Sequence, residues 1–304
     1  MKRHPFFRAI RHYTEYVLAL PFFVLIPYLP LRWIRSLGKG LGLLGYHLIG
    51  RRRKIALDNL ESAYGPAMPV SERQTFARQV FIHFATAALE FLWAARLNTE
   101  TIGELVELDE AGLAMVKKAL EKGRGVLILG FHIGHWELLP VVHGYRGIGQ
   151  LHGVARRLDN PYLDRRINAI RCRSGTKVIY KDQAGSQILR ALKRNELVGI
   201  GLDQNTSRGH VFVNFFGRPA ATNKAIATFA LATGAPILSA VCLPLPDGRY
   251  RVYYGPEIEY QETGDREKDI LELTRRCTSV IEDQIRKAPR YWLWLHQRWK
   301  HQPP

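Results

Sequence analysis

The sequence predicts an α/β protein: a largely parallel central sheet flanked by helices, with an apolar, membrane-anchoring helical segment at the N-terminus. Three observations carry this reading. Beyond residue 125, short apolar runs of strand length alternate with segments of helical periodicity. Between residues 55 and 96 the apolar spacing is helical on either side of a Gly65-Pro66 break. The most apolar run of the chain, residues 16–31 (YVLALPFFVLIPYLPL), contains no charge. Together they divide the chain into a membrane-associated segment over residues 1–50 and a body over residues 51–304.

Taken in order, residues 16–31 are short for a spanning helix, which needs roughly 20 apolar residues. Pro21, Pro27 and Pro30 are expected to kink or break it. A Gly-spaced apolar piece follows over residues 41–50, then a short helix over 55–64 that ends at Gly65-Pro66. Ser71 and Gln74 have capping-box spacing and open a long helix to about Arg96, with Phe76, Val80, Phe84, Ala88 and Phe91 on its apolar face. Another helix runs from about Glu110 to Lys122 and stops at Gly123.

The alternation then begins. GVLILGF (125–131), HGVAR (152–156), KVIY (177–180), LVGIGLD (197–203), APILSAVCL (235–243) and YRVYYGPEIEY (250–260) are strands. Helices begin near His135, after the Asn160-Pro161 cap, and over 183–194, 222–233 and 266–287. In open parallel sheets the chemistry lies at the carboxyl ends of strands. His132 and Glu137 follow one such end, and Asp203 follows another.

Composition narrows the function classes. A chain of 304 residues with 46 % hydrophobic and 23 % charged residues folds around a sizeable core. Its three cysteines are scattered, which argues against a disulfide framework or a Cys-based zinc site. The net charge of +17 calls for an anionic partner. Residues 1–60 carry eleven Lys and Arg against two acids, so more than half of that excess flanks the apolar run. Basic flanks around apolar residues suit a phospholipid surface better than nucleic acid. The C-terminal YWLWLHQRWK (291–300) fits three uses: a headgroup interface, a base-stacking platform, or an aromatic helix packed in the core.

GFHIGHWELL (130–139) concentrates proton-handling groups. His132 and His135 with Glu137 do not form the HExxH pattern of zinc peptidases, and the other histidines are scattered, so no metal and no cofactor are expected. A proton-transfer reading places His132 in the turn after the strand and Glu137 in the first helical turn. A carboxylate on one imidazole nitrogen fixes the tautomer and stabilises the cation, leaving the other nitrogen to take a proton from an alcohol. The box holds no Ser or Cys nucleophile, so the simplest chemistry is direct attack by a substrate hydroxyl on an activated acyl group. Backbone N–H groups at the helix start are candidate oxyanion donors. The competing reading is a polar helix N-terminus with Glu137 favoured by the dipole.

His132-x4-Glu137 resembles the HX4D/E motif of the glycerolipid acyltransferase superfamily, and the surroundings resemble its lipid A biosynthesis branch. The likeness runs through RRRKIALDNLESAYG (51–65), HIGHWELLP (132–140), ARRLDNPYLD (155–164), LDQN (202–205), GHVFVNFFGRPAAT (209–222), TGAPILSA (233–240) and YWLWLHQRWK (291–300). It implies a metal-free acyltransferase domain over residues 51–304, on the cytoplasmic side of the bacterial inner membrane, that takes acyl groups from acyl carrier protein. The implied acceptor is an anionic glycolipid, a lipid A precursor.

By position, His132 is then the base, Glu137 its orienting partner, and Arg156 and Asp203 belong to the substrate site. Arg156 has a physical use as a bidentate phosphate ligand. Asp203 is suited to orient Arg156, to hold a substrate amide or to cap a turn. His135 stands where the family commonly has asparagine, which leaves it open as alternative base or substrate donor. Arg157 stands where proline is common, which leaves open which arginine enters the site. Arg218, in FFGRP, is a further candidate; Phe215 and Phe216 before it are core or acyl-groove lining. Three alternatives stand beside this reading: a lysophospholipid or glycosylated phospholipid as acceptor, a metal-dependent hydrolase, and a basic nucleic-acid-binding protein.

Overall fold

The strand-length apolar runs become one sheet because the central ones, residues 126–130, 197–201 and 237–244, are apolar on both faces and must be covered twice. The structure, a computed structural model, describes residues 5–303. Its N-terminal half is helical: α1 (Pro5–Leu25), α2 (Leu31–Leu48), α3 (Gly50–Tyr64), α4 (Val70–Trp93) and the short α5 (Ile102–Leu105). There follow β1 (Val106–Leu108), α6 (Glu110–Leu120), β2 (Val126–Gly130), α7 (Leu138–Tyr145), β3 (Leu151–Ala155), α8 (Pro161–Cys172), β4 (Lys177–Tyr180), α9 (Ala184–Lys193) and β5 (Leu197–Gly201). The chain ends with β6 (His210–Phe215), β7 (Arg218–Asn223), α10 (Ala225–Thr233), β8 (Ile237–Pro244), β9 (Tyr250–Glu257) and α11 (Arg266–Lys287).

Seven strands form the sheet in the order β1-β9-β8-β2-β5-β3-β4. All neighbours pair in parallel except β8 and β9, so the expected largely parallel sheet is present. One face packs Leu127, Leu129, Val198 and Ile200 against α10, α11 and the C-terminal tryptophans. The other packs Val126, Ile128, Leu151 and Leu197 against α6 and α7. The strand pair β6–β7 lies outside the sheet as an antiparallel hairpin, which the sequence reading did not contain. Its two-residue turn is Phe216-Gly217, both at positive φ, and phenylalanine is an unusual occupant of that conformation. The helix expected from residue 222 consequently starts only at Ala225.

Two further expectations differ at the N-terminus. Pro21 sits inside α1 without ending it; one lost hydrogen bond does not break a helix of 21 residues, and the stop comes at Leu25, before Pro27 and Pro30. Ser71 and Gln74 form no capping box, because the cap position of α4 falls two residues earlier, on Pro69. The Gly-spaced piece lies within α2, where its glycines allow close packing on α4. A Cβ at Gly38 would lie 2.6 Å from Thr86 Cα, and one at Gly42 2.4 Å from Ile82 Cα.

The opposite side of α2 exposes Trp33, Leu37, Leu41, Leu44 and Leu48, a stripe at helical spacing. Among the described residues, Phe6–Tyr28 is the one helical stretch long and apolar enough to cross a membrane, and most of it is unburied. The body meets α1 through α8. Asn160 donates to His12 O at 2.8 Å and to Glu15 Oε2 at 2.9 Å, and Arg166 donates to the Tyr16 hydroxyl at 3.1 Å.

Candidate active site

Strand register builds the site. Gly130 ends β2, Gly201 ends β5, and the two residues pair directly. His132 and Asp203 each lie two residues further on, so two parallel neighbours deliver an imidazole and a carboxylate to the same point. His132 Nδ1 donates to Asp203 Oδ1 at 2.8 Å. Asp203 Oδ2 accepts the His132 backbone N–H and Trp292 Nε1–H, each at 2.8 Å. With its proton on Nδ1, the ring presents the Nε2 lone pair outward, where Gln204 Nε2 donates to it at 3.2 Å. The Trp136 ring packs edge-on at 5.3 Å.

The electrostatics follow. Burial alone would lower the His132 pKa, but the Asp203 charge and hydrogen bond, with the Glu137 charge behind them, raise it above its ordinary value. Asp203 is buried, which would raise its pKa, yet His132 and the two further donors hold it down at about 2. The pair is therefore a carboxylate that stays ionised and an imidazole biased toward accepting a proton.

Glu137 does not occupy the place the sequence reading gave it on His132; Asp203 does. Glu137 precedes α7 without capping it, and its carboxylate is gripped by Arg171 of α8. Arg171 Nε donates to Oε2 at 2.7 Å and Nη2 closes on Oε1. The Glu137 charge still reaches His132, and Glu137, Arg171 and His132 line one cavity. Arg171 loses from burial but gains more from Glu137, so its pKa is raised and it stays cationic.

That cavity has a volume of about 410 Å³ and runs from His132 inward along the sheet, under α7 and α8. Arg156 and Lys181 stand on its lining, with Arg156 exposed and 3.0 Å from Asp159. Arg157 instead stacks on the Tyr180 ring at 3.8 Å, so of the two arginines it is Arg156 that borders the cavity. Asp203 orients neither arginine; its oxygens serve His132 and Trp292.

His135 lies away from the cavity, 1 % exposed, against the Tyr250 ring. Its Nδ1 accepts Leu138 N–H, and burial pushes its pKa down to about 3. Arg218 sits on the β6–β7 hairpin, bonded to Ser62, and does not line the cavity. Phe215 and Phe216 are core. So are Trp292 and Trp294, which decides the use of the C-terminal aromatics: Trp292 braces Asp203, and Arg298, fully buried, holds Ala221 O.

The loop carrying His132 is sewn down on both sides. Gly134 N–H donates to Tyr291 O, His135 N–H to Cys242 O and Leu293 N–H to His132 O. His83 Nε2 donates to Gly134 O at 3.1 Å. The N–H groups of His132, Ile133, Gly134, His135 and Leu138 are all spent within the protein, so the loop before the helix has none of these to offer an oxyanion. Sequence reasoning missed Arg171, Gln204 and Lys181. Gln204 had a signal in its place after Asp203; Arg171 is one of several arginines in and after α8, and nothing in its spacing marks it. Among the described residues no group of three or more His, Cys, Asp or Glu side chains is arranged to hold a metal ion.

Residues 1–301 match the family model described as bacterial lipid A biosynthesis acyltransferase. The chain belongs to that family. It is 30 % identical to the lipid A biosynthesis lauroyltransferase of Escherichia coli (strain K12) over 283 residues, 92 % of this chain and 89 % of that one. It is 27 % identical to the lipid A biosynthesis palmitoleoyltransferase of the same organism, over 90 % of this chain and 87 % of that one. The phosphatidylinositol mannoside acyltransferase of Mycolicibacterium smegmatis is also 27 % identical, over 68 % of this chain and 67 % of that one. The His132–Asp203 pair stands at the edge of a partly apolar cavity, an arrangement suited to accepting a proton.

Proposed function

We propose that this acyltransferase moves a fatty acyl chain from acyl carrier protein to a hydroxyl of a lipid A precursor, with His132 as general base. The observation that carries the reading is His132 Nε2, its tautomer set by Asp203, opening on a cavity of about 410 Å³. The substrate hydroxyl displaces Gln204 from Nε2 and gives up its proton there. Its oxygen attacks the thioester carbonyl. When the tetrahedral intermediate collapses, the new ester forms, the C–S bond breaks and the thiol leaves with the proton from the imidazolium. Arg171, Gln204 and Lys181 are the cationic and amide donors placed to meet the oxyanion. Glu137 acts through Arg171, and its charge adds to the basicity of His132.

The acceptor's phosphate falls to Arg156. Arg156 precedes Asn160, which is tied to α1, so a lipid leaving the bilayer along α1 arrives at this rim. In the same reading α1 anchors the protein in the inner membrane. The exposed stripe of α2 lies in the interface, the Arg51–Lys54 cluster meets anionic headgroups, and the catalytic body faces the cytoplasm. The mannoside acyltransferase relative supports a second acceptor, a glycosylated phospholipid.

The test is incubation of the purified protein in vesicles with labelled acyl carrier thioester and either acceptor, read by mass spectrometry. Transfer to the lipid A precursor, lost by about 10²–10⁴ in His132→Ala, is expected. Wild-type turnover in His132→Ala removes the mechanism, and transfer to the mannoside alone removes the acceptor.

A further inference from the structure

The cavity owes its depth to residues that have no side chain. On the face of the sheet covered by α7, three strands meet in register. Ile128 pairs with Gly199, and Gly199 with Gly153; one row toward the strand ends, Gly130 pairs with Gly201. Of these five positions on β2, β5 and β3, four are glycine, and all five line the cavity. Glycine in the middle of a strand is costly in conformational freedom and contributes no packing, so it marks a place where something else approaches the backbone.

The space in front of them is open. A Cβ at Gly153 would meet nothing within 4 Å, and one at Gly199 nothing nearer than 3.9 Å. At Gly201 it would lie 3.7 Å from His132 Cε1, which puts that row directly beside the reacting imidazole. Gly199 and Gly153 lie one row deeper, about 6.6 Å further along the strands. A row beyond them, Leu151 pairs with Leu197, both buried, and the Leu151 Cδ1 atom is the one 3.9 Å from the missing Gly199 Cβ. The slot is roofed by Leu139 and Pro140 and ends on Leu151.

We propose that Gly153 and Gly199 determine how long an acyl chain the enzyme accepts, with Leu151 as the stop against which the chain's end rests. This rests on the reading of the cavity as the acyl site. The volume that two side chains would fill at the glycines is the volume the distal methylenes take. Any Cβ there displaces methylenes from the slot and returns them to water, while the carbonyl end, a row nearer the mouth, is untouched.

The experiment compares Gly199→Ala, Gly153→Val and Leu151→Ala with the wild type on decanoyl, lauroyl, myristoyl and palmitoyl carrier thioesters. The readout is the ratio of kcat/KM for long over short donors within each protein. That ratio does not depend on how much of a variant folds. Each methylene kept out of an apolar site costs about 4-fold (~0.8 kcal/mol). Gly199→Ala and Gly153→Val should therefore move the optimum to a shorter chain, with roughly 15-fold loss for a donor that must withdraw two methylenes. Leu151→Ala should move it the other way, a gain that no destabilised protein mimics. Equal losses on every donor, with the ratios unchanged in the two glycine variants, overturn the proposal. A wild type that transfers no donor refutes the acyltransfer reading instead.

Discussion

Replacing Asp203 by asparagine should abolish activity by turning His132 around electronically without moving it. Asp203 accepts three hydrogen bonds, one at Oδ1 from His132 Nδ1 and two at Oδ2 from His132 N and Trp292 Nε1. An asparagine has one oxygen and one NH2 for these two places. Put the NH2 at the Oδ2 place, and it faces two N–H donors, neither of which can turn away. Put it at the Oδ1 place, and it faces one nitrogen that can shed its proton to the other side of the ring. A buried polar group left unpaired costs about 1–3 kcal/mol, so the second arrangement, with no orphan, is favoured by about that much or more. The imidazole then carries its proton on Nε2, the atom that must accept one. A wrong tautomer at an unchanged site costs roughly 10⁴-fold in kcat in enzymes built on a His–Asp pair. Asp203→Ala makes the contrast: it orphans two buried donors and should destabilise more, yet it leaves the tautomer free and should be the more active of the two per folded molecule. Single-turnover rates, normalised by the folded fraction from circular dichroism, compare them. Asp203→Asn acting as fast as Asp203→Ala, or within ten-fold of wild type, refutes the reasoning.

Other consequences can be measured on the same preparations. Only neutral His132 accepts a proton, so kcat/KM should rise with pH through its pKa, with a midpoint above the ordinary histidine value of ~6.5 because Asp203 and Glu137 outweigh burial; Asp203→Ala should move that midpoint down, and a pH profile that does not move counts against the assignment. Gly134→Ala should destroy activity and destabilise the fold, since Gly134 sits at φ +59 and a Cβ would lie 2.0 Å from Cys242 O; thermal melting and turnover together check it. Arg171→Ala should cost about 1.5–3 kcal/mol by stranding the Glu137 carboxylate, and adding Glu137→Gln should restore stability in denaturant titrations, though not the missing donor. Replacing Leu37, Leu41 and Leu44 together by serine should weaken flotation with anionic vesicles while leaving the circular dichroism spectrum intact, because the three face outward from α2.

Much of the fold was legible because parallel strands buried on both faces are continuous apolar runs, and β4, β5 and α11 begin at the residues their patterns mark. The hairpin β6–β7 was not, since its turn residues, Phe216 and Gly217, lack the usual signature. His132 and Asp203 were each visible as polar residues just past a strand end. Their pairing was not, because it depends on β2 and β5 being sheet neighbours although β3 and β4 lie between them in sequence. Nearness along the chain made Glu137 the obvious partner for His132, but in space Glu137 meets Arg171, 34 residues away. The C-terminal aromatics had three readings from composition alone. Only the packed structure separates them, since a tryptophan bracing a buried carboxylate and one lying in headgroups have the same sequence.

The back of the histidine loop explains why α2 carries an arginine on its inner side. Glu90 of α4 is fully buried; it accepts from Arg35 Nε at 2.7 Å and from the Tyr250 hydroxyl, and His135 Nε2 lies 3.8 Å from it. Arg35 also holds Gly248 O. Replacing such a buried cluster by apolar side chains is often neutral in stability, whereas breaking one partner away is severe, by about 3–5 kcal/mol. Its value here is therefore one of position rather than of strength. An apolar contact tolerates sliding; a carboxylate shared between a guanidinium and a phenol does not. The cluster ties α2, α4 and β9 together at the spot where the His135 ring rests on Tyr250, three residues from His132. The helix whose outer stripe is exposed to the surroundings is thus the same helix that backs the rear of the His132 loop. If the proposed function holds, the base must be held at a set height above the bilayer that supplies the acceptor, and the contacts from Arg35 to Glu90 to His135 join the helix with the exposed stripe to the loop that carries His132.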